Sequence, residues 1–109
     1  MEGQFTRRTK TAFHPHTNMA KAALNMLTRT SAADLARQGI YLTSVDTGWV
    51  TDEKPLVEAE HVCAEHHFYL PLDAIDGASR IYDPIARGIT DPCEPLSGYF
   101  LKDYAPHPW

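Results

Sequence analysis

The clearest pattern of apolar and polar positions lies between residues 17 and 38. Small or apolar side chains recur there at steps of three and four, with no proline or glycine between them, at Ala20, Leu24, Leu27, Ser31 and Leu35. This spacing predicts an α-helix. Arg37 in the last turn and Gly39 just beyond it predict where the helix ends, because glycine readily takes the left-handed conformation that closes a helix.

Two short runs predict strands. Residues 40–45 are rich in β-branched and aromatic side chains, and residues 99–101 are Tyr-Phe-Leu. Neither run alternates strictly between apolar and polar, which is typical of strands in a parallel sheet covered on both faces. Between them, apolar positions predict a helix that starts at Pro71 and ends or kinks at Pro84. Residues 56–67 are compatible with a further short acidic helix.

The order of these elements predicts an α/β fold. A helix, one glycine and a buried strand form the unit from which parallel sheets are built. A parallel pair of strands needs neighbours, so the chain has the pattern of the back end of a larger sheet. We expect one partial domain: an irregular lead-in over residues 1–16, a helix and strand unit over 17–46, a long connection over 47–70, and a last helix and strand over 71–104.

Composition narrows the possible partners and location. The chain has 109 residues and a formal net charge of −4. That charge has the wrong sign for a protein that binds phosphate backbones, so we expect no nucleic acid partner. No apolar run approaches ~20 residues and Met1 is not followed by a leader, which predicts no membrane association and a cytoplasmic location. Cys63 and Cys93 are then expected to be free, reduced thiols.

Several motifs together resemble the short-chain dehydrogenase/reductase family. They are the stretch Asn-Met-Ala-Lys-Ala-Ala-Leu at residues 18–24, the helix leading to Gly39, the strand ending at Val45, and the turn Thr-Gly-Trp-Val at 47–50. In that family a Y-x-x-x-K pair begins a long helix, which leads into the sixth strand and a P-G-x-V turn. The similarity spans residues 14–104. It implies that the chain is the C-terminal part of a Rossmann-like doubly wound parallel sheet, here incomplete.

The resemblance implies roles for the start of the helix. Lys21 takes the position of the family lysine, which holds the ribose hydroxyls of NAD or NADP, whereas Thr17 stands where the family has its catalytic tyrosine. An aliphatic hydroxyl is a poor acid or base, so Thr17 has an alternative interpretation as a helix N-cap. His14 and His16 have side chains suited to proton transfer. They are either replacements for the tyrosine or ordinary loop residues.

The same resemblance assigns cofactor contacts to the turn after the strand. Gly48, Val50 and Thr51 are expected to contact the nicotinamide side of the cofactor, although Asp52 occupies the polar position by strict count. Turn geometry for Gly48 and solvent exposure for the polar residues are the competing interpretation. The family's glycine-rich phosphate loop has no counterpart among the glycines at positions 3, 39, 48, 77, 88 and 98.

A group of metal-binding residue types lies in the long connection, at His61, Cys63, His66 and His67. Zinc sites use about four nitrogen or sulfur ligands in tetrahedral geometry, and these side chains supply enough donors. Their spacing matches none of the usual paired-ligand patterns. We therefore expect no metal site.

These observations favour a truncated or fragmentary NAD(P)-dependent oxidoreductase. In the complete enzyme, hydride would pass between nicotinamide and a small carbonyl or alcohol substrate, with residues 55–70 covering that substrate. We expect this chain alone to be inactive. The alternative is a non-catalytic protein-interaction module, derived from the same family and able to form homo-oligomers through the long helix.

Overall fold

The computed structural model describes residues 2–7, 10, 12–50 and 72–109. Its elements are two helices and three short strands, namely α1 (Pro15–Ala36), β1 (Ser44–Asp46), α2 (Ala74–Thr90), β2 (Phe100–Lys102) and β3 (Ala105–Pro106). The chain is therefore a mixed α/β structure. The acidic helix expected over residues 56–67 lies outside the described residues.

The three strands form one sheet in the order β1-β2-β3. β1 and β2 are parallel, with Ser44 opposite Phe100 and Asp46 opposite Lys102. β2 and β3 are antiparallel, with Lys102 opposite Ala105. The parallel pairing of the two predicted strands is confirmed, whereas β3 was not predicted.

The ends of α1 differ in how well they follow the sequence prediction. The helix starts at Pro15, with His14 at the N-cap in the left-handed region (φ 53°) and no capping side-chain hydrogen bond. The interpretation of Thr17 as the N-cap is therefore wrong, because proline at the first helical position starts the helix earlier. At the other end Gly39 has a φ of 77°. Ile40 N–H donates to Leu35 C=O at 3.0 Å, which confirms the predicted glycine closure.

α2 starts later and ends later than predicted. Its N-cap is Asp73, whose side chain accepts from Asp76 N–H while the Asp76 carboxylate accepts from Asp73 N–H. This reciprocal capping, and not Pro71, fixes the start. Of the two predicted effects of Pro84, an end or a kink, the end is wrong, since α2 continues to Thr90. The ion pair between Arg87 Nε and Asp83 Oδ2, at 3.0 Å, links the turns on either side of the proline.

The interior holds few large apolar side chains. Among the described residues, the buried apolar ones are Ala32, Phe100 and Leu101, and the buried polar ones are Gln4, Asn25 and Thr28. α1 thus turns small and polar side chains toward the rest of the structure. Ser44 Oγ on β1 lies 2.8 Å from Thr28 Oγ1, so a hydrogen bond joins the helix to the sheet.

Large apolar side chains lie exposed on both helices. On α1 they are Met19, Leu24, Met26 and Leu27, and on α2 they are Ile75, Ile81, Tyr82, Ile85 and Ile89. Neither helix has the length and hydropathy that a membrane span requires, within the ranges that the structure describes. These side chains form apolar surface that the described part of the chain leaves uncovered.

Candidate functional site

A cleft of about 730 Å³ lies at the carboxyl ends of β1 and β2. Its walls come from the N-terminal segment, the inner face of α1, β1 with the turn that follows it, and β2 with the start of its turn. Small-molecule sites usually have volumes of ~300–1,000 Å³. In open α/β sheets ligands bind outside the carboxyl ends of the strands, which makes this cleft the candidate site.

Two of the sequence-predicted residues meet in this cleft. Lys21 reaches it from α1, and Gly48 from the turn after β1. The Lys21 side chain is exposed, and its ammonium pairs with no carboxylate within residues 2–7, 10, 12–50 and 72–109. Its donors are therefore available to a ligand. Thr51 and Asp52 lie outside the described residues.

The other candidates at the start of α1 lie elsewhere. Thr17 is half-buried in the first turn, and it does not line the cleft. His14 and His16 are exposed, and their rings make an edge contact with centroids 6.2 Å apart. Neither ring lines the cleft. The structure therefore places Lys21 at the candidate site without these three residues.

Backbone conformation and packing account for two residues of the turn after β1, Gly48 and Val50. Gly48 has a φ of 77°, and a Cβ added there would lie 2.6 Å from Leu72 Cδ1. Val50 forms a parallel bridge with Leu72. A Cβ added at Gly77 would lie 2.8 Å from Val50 Cγ2, so α2 packs closely on Val50. The turn conformation and these contacts explain Gly48 and Val50 without a ligand, and the Val50 side chain lies against α2.

Asp46 is a cleft residue that the sequence analysis missed. It ends β1, and its Oδ1 accepts from Gly48 N–H at 2.9 Å. Burial alone raises the pKa of this carboxyl. Hydrogen-bonding and positively charged groups around it, among them the Gly48 N–H and Lys102, outweigh burial and hold the pKa below its ordinary value. Asp46 is therefore an ionised acceptor in the cleft at neutral pH.

Lys102 and Trp49 also line the cleft. Lys102 ends β2 directly opposite Asp46 in the parallel register. The Trp49 side chain is 57% exposed, so it offers an aromatic surface to a ligand. A sequence signal for the charged pair existed, because the residues that end two adjacent parallel strands meet at the same edge of a sheet.

The N-terminal segment forms a further wall of the cleft. Glu2 and Gly3 line the cleft beside Lys21 and Asn25. Asn25 Nδ2 donates to Gly3 C=O at 3.0 Å, which ties this segment to α1. Residues 1–16 show no sustained period in the sequence, and Asn25 belongs to no predicted site.

The lining suits binding better than proton transfer. Among the described residues that line the cleft there is no tyrosine and no histidine. No group of three or more potential metal ligands exists in the same described ranges. The possible donors His61, Cys63, His66 and His67 lie outside them. The cleft thus combines ammonium donors, a carboxylate acceptor and an aromatic surface.

Comparisons with known proteins find a viral relative of this chain. No protein-family model matches the chain, and no solved structure matches it. The chain is 37% identical over 90 residues to an uncharacterized protein of Acanthamoeba polyphaga mimivirus. The match covers 77% of this chain and 19% of that protein. This chain therefore spans about a fifth of the length of the viral relative.

Proposed function

We propose that this chain is the C-terminal portion of a Rossmann-like, NAD(P)-dependent oxidoreductase of the short-chain type, and that its cleft receives the nicotinamide riboside half of the cofactor. The observation that carries the proposal is the meeting of Lys21 and Gly48 in one cleft at the carboxyl ends of two parallel strands. The family resemblance assigned both residues to the cofactor. The cytoplasmic location and the small carbonyl or alcohol substrate are parts of the same proposal.

The chemistry of the lining fits a ribose diol. An ammonium such as that of Lys21 donates hydrogen bonds to hydroxyl oxygens, and an ionised carboxylate such as that of Asp46 accepts from hydroxyl protons. Trp49 supplies an aromatic surface for a flat ring. When bound, the nicotinamide supplies the hydride that the complete enzyme exchanges with its substrate.

Binding by this sequence alone is expected to be weak. The phosphate groups of a dinucleotide are usually held at a glycine-rich turn that opens a helix, and the six glycines of this sequence form no such cluster. The cleft also offers no phenol or imidazole among its described residues. We therefore expect the chain to bind a half-cofactor without turning over a substrate.

Nicotinamide mononucleotide is the probe that tests this proposal. We expect it to shift the amide resonances of residues 46–49 with a Kd on the order of 1 mM. Lys21→Ala should weaken this binding about fivefold to tenfold, because it removes a charged hydrogen-bond donor. Arg37→Ala is the matched control, an exposed cation at the C-cap of the same helix that does not line the cleft. Absence of shifts in the wild type, or equal affinities of the two variants, would contradict the proposal.

The exposed face of α1 favours a second candidate function, that of a non-catalytic interaction module. Met19, Met26 and Leu27 are 72%, 44% and 55% exposed on this helix. Because a self-complementary helix face is a common basis for two-fold dimers, the occupant would be a second copy of this chain. Light scattering at increasing concentration tests this candidate. A dimer that Met26→Glu dissociates would support it, and a monomer at every concentration would exclude it.

A further inference from the structure

Residues 2–6 form a strap that crosses the structure between the C-terminal residues 105–109 and α1. The strap has no regular secondary structure. Its course is nevertheless fixed by side chains on both sides, and its first two residues form one wall of the cleft.

On one side the strap is held by the C-terminal residues. Gln4, only 6% exposed, donates from Nε2 to Pro108 C=O at 3.0 Å and lies 2.9 Å from His107 Nδ1. Thr6 N–H donates to Trp109 C=O at 2.8 Å. The Phe5 ring stacks on Trp109, with centroids 6.3 Å apart and an interplanar angle of 15°. These contacts anchor the end of the strap that lies farther from the cleft.

On the other side the strap is held by Asn25 of α1. This side chain is 6% exposed and donates to Gly3 C=O at 3.0 Å. The approach is close, because a Cβ added at Gly3 would lie 2.8 Å from Asn25 Nδ2 and 3.0 Å from the backbone oxygen of Lys21. A buried amide left without a hydrogen-bond partner lowers the stability of the fold, because it has also lost its hydrogen bonds to water. The contact therefore fixes the strap against the turn of α1 that carries Lys21.

We propose that Asn25 is a positioning residue for the cleft. It lies one turn after Lys21 on the same face of α1, so the helix that presents the ammonium also holds the wall beside it. Thr28, nearly one turn further on, bonds Ser44 of β1, which also lines the cleft. One face of α1 thus fixes the relative positions of the Lys21 ammonium, the wall formed by residues 2–3, and β1. The identity of the ligand rests on the proposed function, but the role of Asn25 does not.

Asn25→Ala tests this role, with Asn18→Ala as its matched control. Asn18 is also on α1 and donates from Nδ2 to a backbone oxygen, that of Phe13, at 3.2 Å, but it does not line the cleft. We expect Asn25→Ala to release the strap from α1, so that the backbone order parameter of residue 3 falls from about 0.85 to below about 0.6. The affinity for nicotinamide mononucleotide should fall about threefold to tenfold. Asn18→Ala should change neither quantity.

A second variant tests the same contact from the strap. Gly3→Ala places a methyl group where Asn25 Nδ2 and the Lys21 carbonyl lie, so it should release the strap as Asn25→Ala does. The order parameter of residue 3 in the double variant should be no lower than in either single variant, because both substitutions remove the same contact. Gly3→Ala also answers the question should Asn25→Ala fail to fold.

The outcomes separate the two proposals. A lower order parameter of residue 3 in Asn25→Ala and Gly3→Ala supports the positioning role, even where the wild type binds no nicotinamide mononucleotide and the proposed function therefore fails. An order parameter of residue 3 and a ligand affinity in both variants equal to those in Asn18→Ala would overturn the role of Asn25.

Discussion

Gly39 and Gly48 share a left-handed backbone conformation but differ in their surroundings. Both have a φ of 77°, where a side chain is strained. No atom lies within 4 Å of a Cβ added at Gly39, whereas a Cβ added at Gly48 would lie 2.6 Å from Leu72 Cδ1. Gly39 is needed for conformation alone. Gly48 is needed for conformation and for packing beside the cleft.

Alanine substitutions should separate these two costs. We expect Gly39→Ala to lower the free energy of unfolding by about 1 kcal/mol, the cost of the left-handed conformation. Gly48→Ala should lower it by somewhat more, about 1–3 kcal/mol, because the Leu72 side chain must also move aside. Urea unfolding of both variants provides the measurement. In a Leu72→Ala background, the two glycine substitutions should differ less in the unfolding free energy that they cost. Equal losses from the two glycine substitutions in the wild type would show that Leu72 does not restrict position 48.

The carboxyl of Asp46 makes the stability of the fold dependent on pH. Burial raises its pKa, but the surrounding donors and cations lower it further, so the folded value lies below the ordinary value of 3.8. A depressed folded pKa stabilises the protein above the ordinary value, and this contribution is lost as pH falls through the folded pKa. We expect the stability advantage of the wild type over Asp46→Asn to shrink in that range. Urea unfolding at a series of pH values measures it, and an advantage independent of pH would be the contrary result.

At the scale of elements, the sequence predicts which helices and strands exist better than where they end. Periodicity identified α1 and α2, and the aromatic and β-branched runs identified the parallel pair β1 and β2. The start of α2 depends on the reciprocal caps of Asp73 and Asp76, which a proline-based prediction overlooks. Capping pairs of this spacing are visible in a sequence, so this boundary was open to prediction.

The third strand depends on contacts that no local pattern reveals. Asp103 and Tyr104, between β2 and β3, have φ values of 47° and 66°, although two-residue hairpin turns of this kind favour asparagine and glycine. Arg80 of α2 holds both residues. Its Nη2 lies 3.4 Å from Asp103 Oδ1, and its guanidinium lies 5.4 Å from the centre of the Tyr104 ring. A residue from a distant helix therefore supports a turn that its own sequence disfavours.

Pro84 inside α2 gives a prediction at this scale. Its ring removes the backbone donor that would pair with Arg80 C=O, which usually costs about 3 kcal/mol in a helix interior. We expect Pro84→Ala to raise the free energy of unfolding by about 1–3 kcal/mol. Thermal and urea unfolding measure the change. Pro92→Ala, in the turn after α2, serves as the control without a gain, and destabilisation by Pro84→Ala would contradict this account of α2.

At the scale of the whole molecule, exposed apolar surface exceeds the buried core. Three apolar residues are buried within the described ranges, while fifteen large apolar side chains there are exposed. A self-sufficient domain keeps most of its large apolar side chains inside. The balance supports the proposal that these elements belong to a larger sheet.

The candidate site could be predicted from the sequence only in part. Lys21 and Gly48 belong to motifs with a fixed spacing, so their meeting followed from the family resemblance. Asp46 and Lys102 end two adjacent parallel strands. Their meeting at one edge of the sheet could therefore have been predicted from the strand ends. The strap was not predictable, because residues 2–6 have no periodicity and Gln4 binds residues more than 100 positions away.

The most direct test of the central claim is an intermolecular nuclear Overhauser measurement on the chain with nicotinamide mononucleotide. If the cleft receives the ribose of the cofactor, the ribose protons should give cross-peaks to the methylene protons of Lys21, and the nicotinamide ring to Trp49. These cross-peaks should disappear when an excess of a second compound that binds the same cleft displaces the nicotinamide mononucleotide. Cross-peaks to the outer face of either helix, with none to Lys21 or Trp49, would contradict the assignment of this cleft as a nucleotide site.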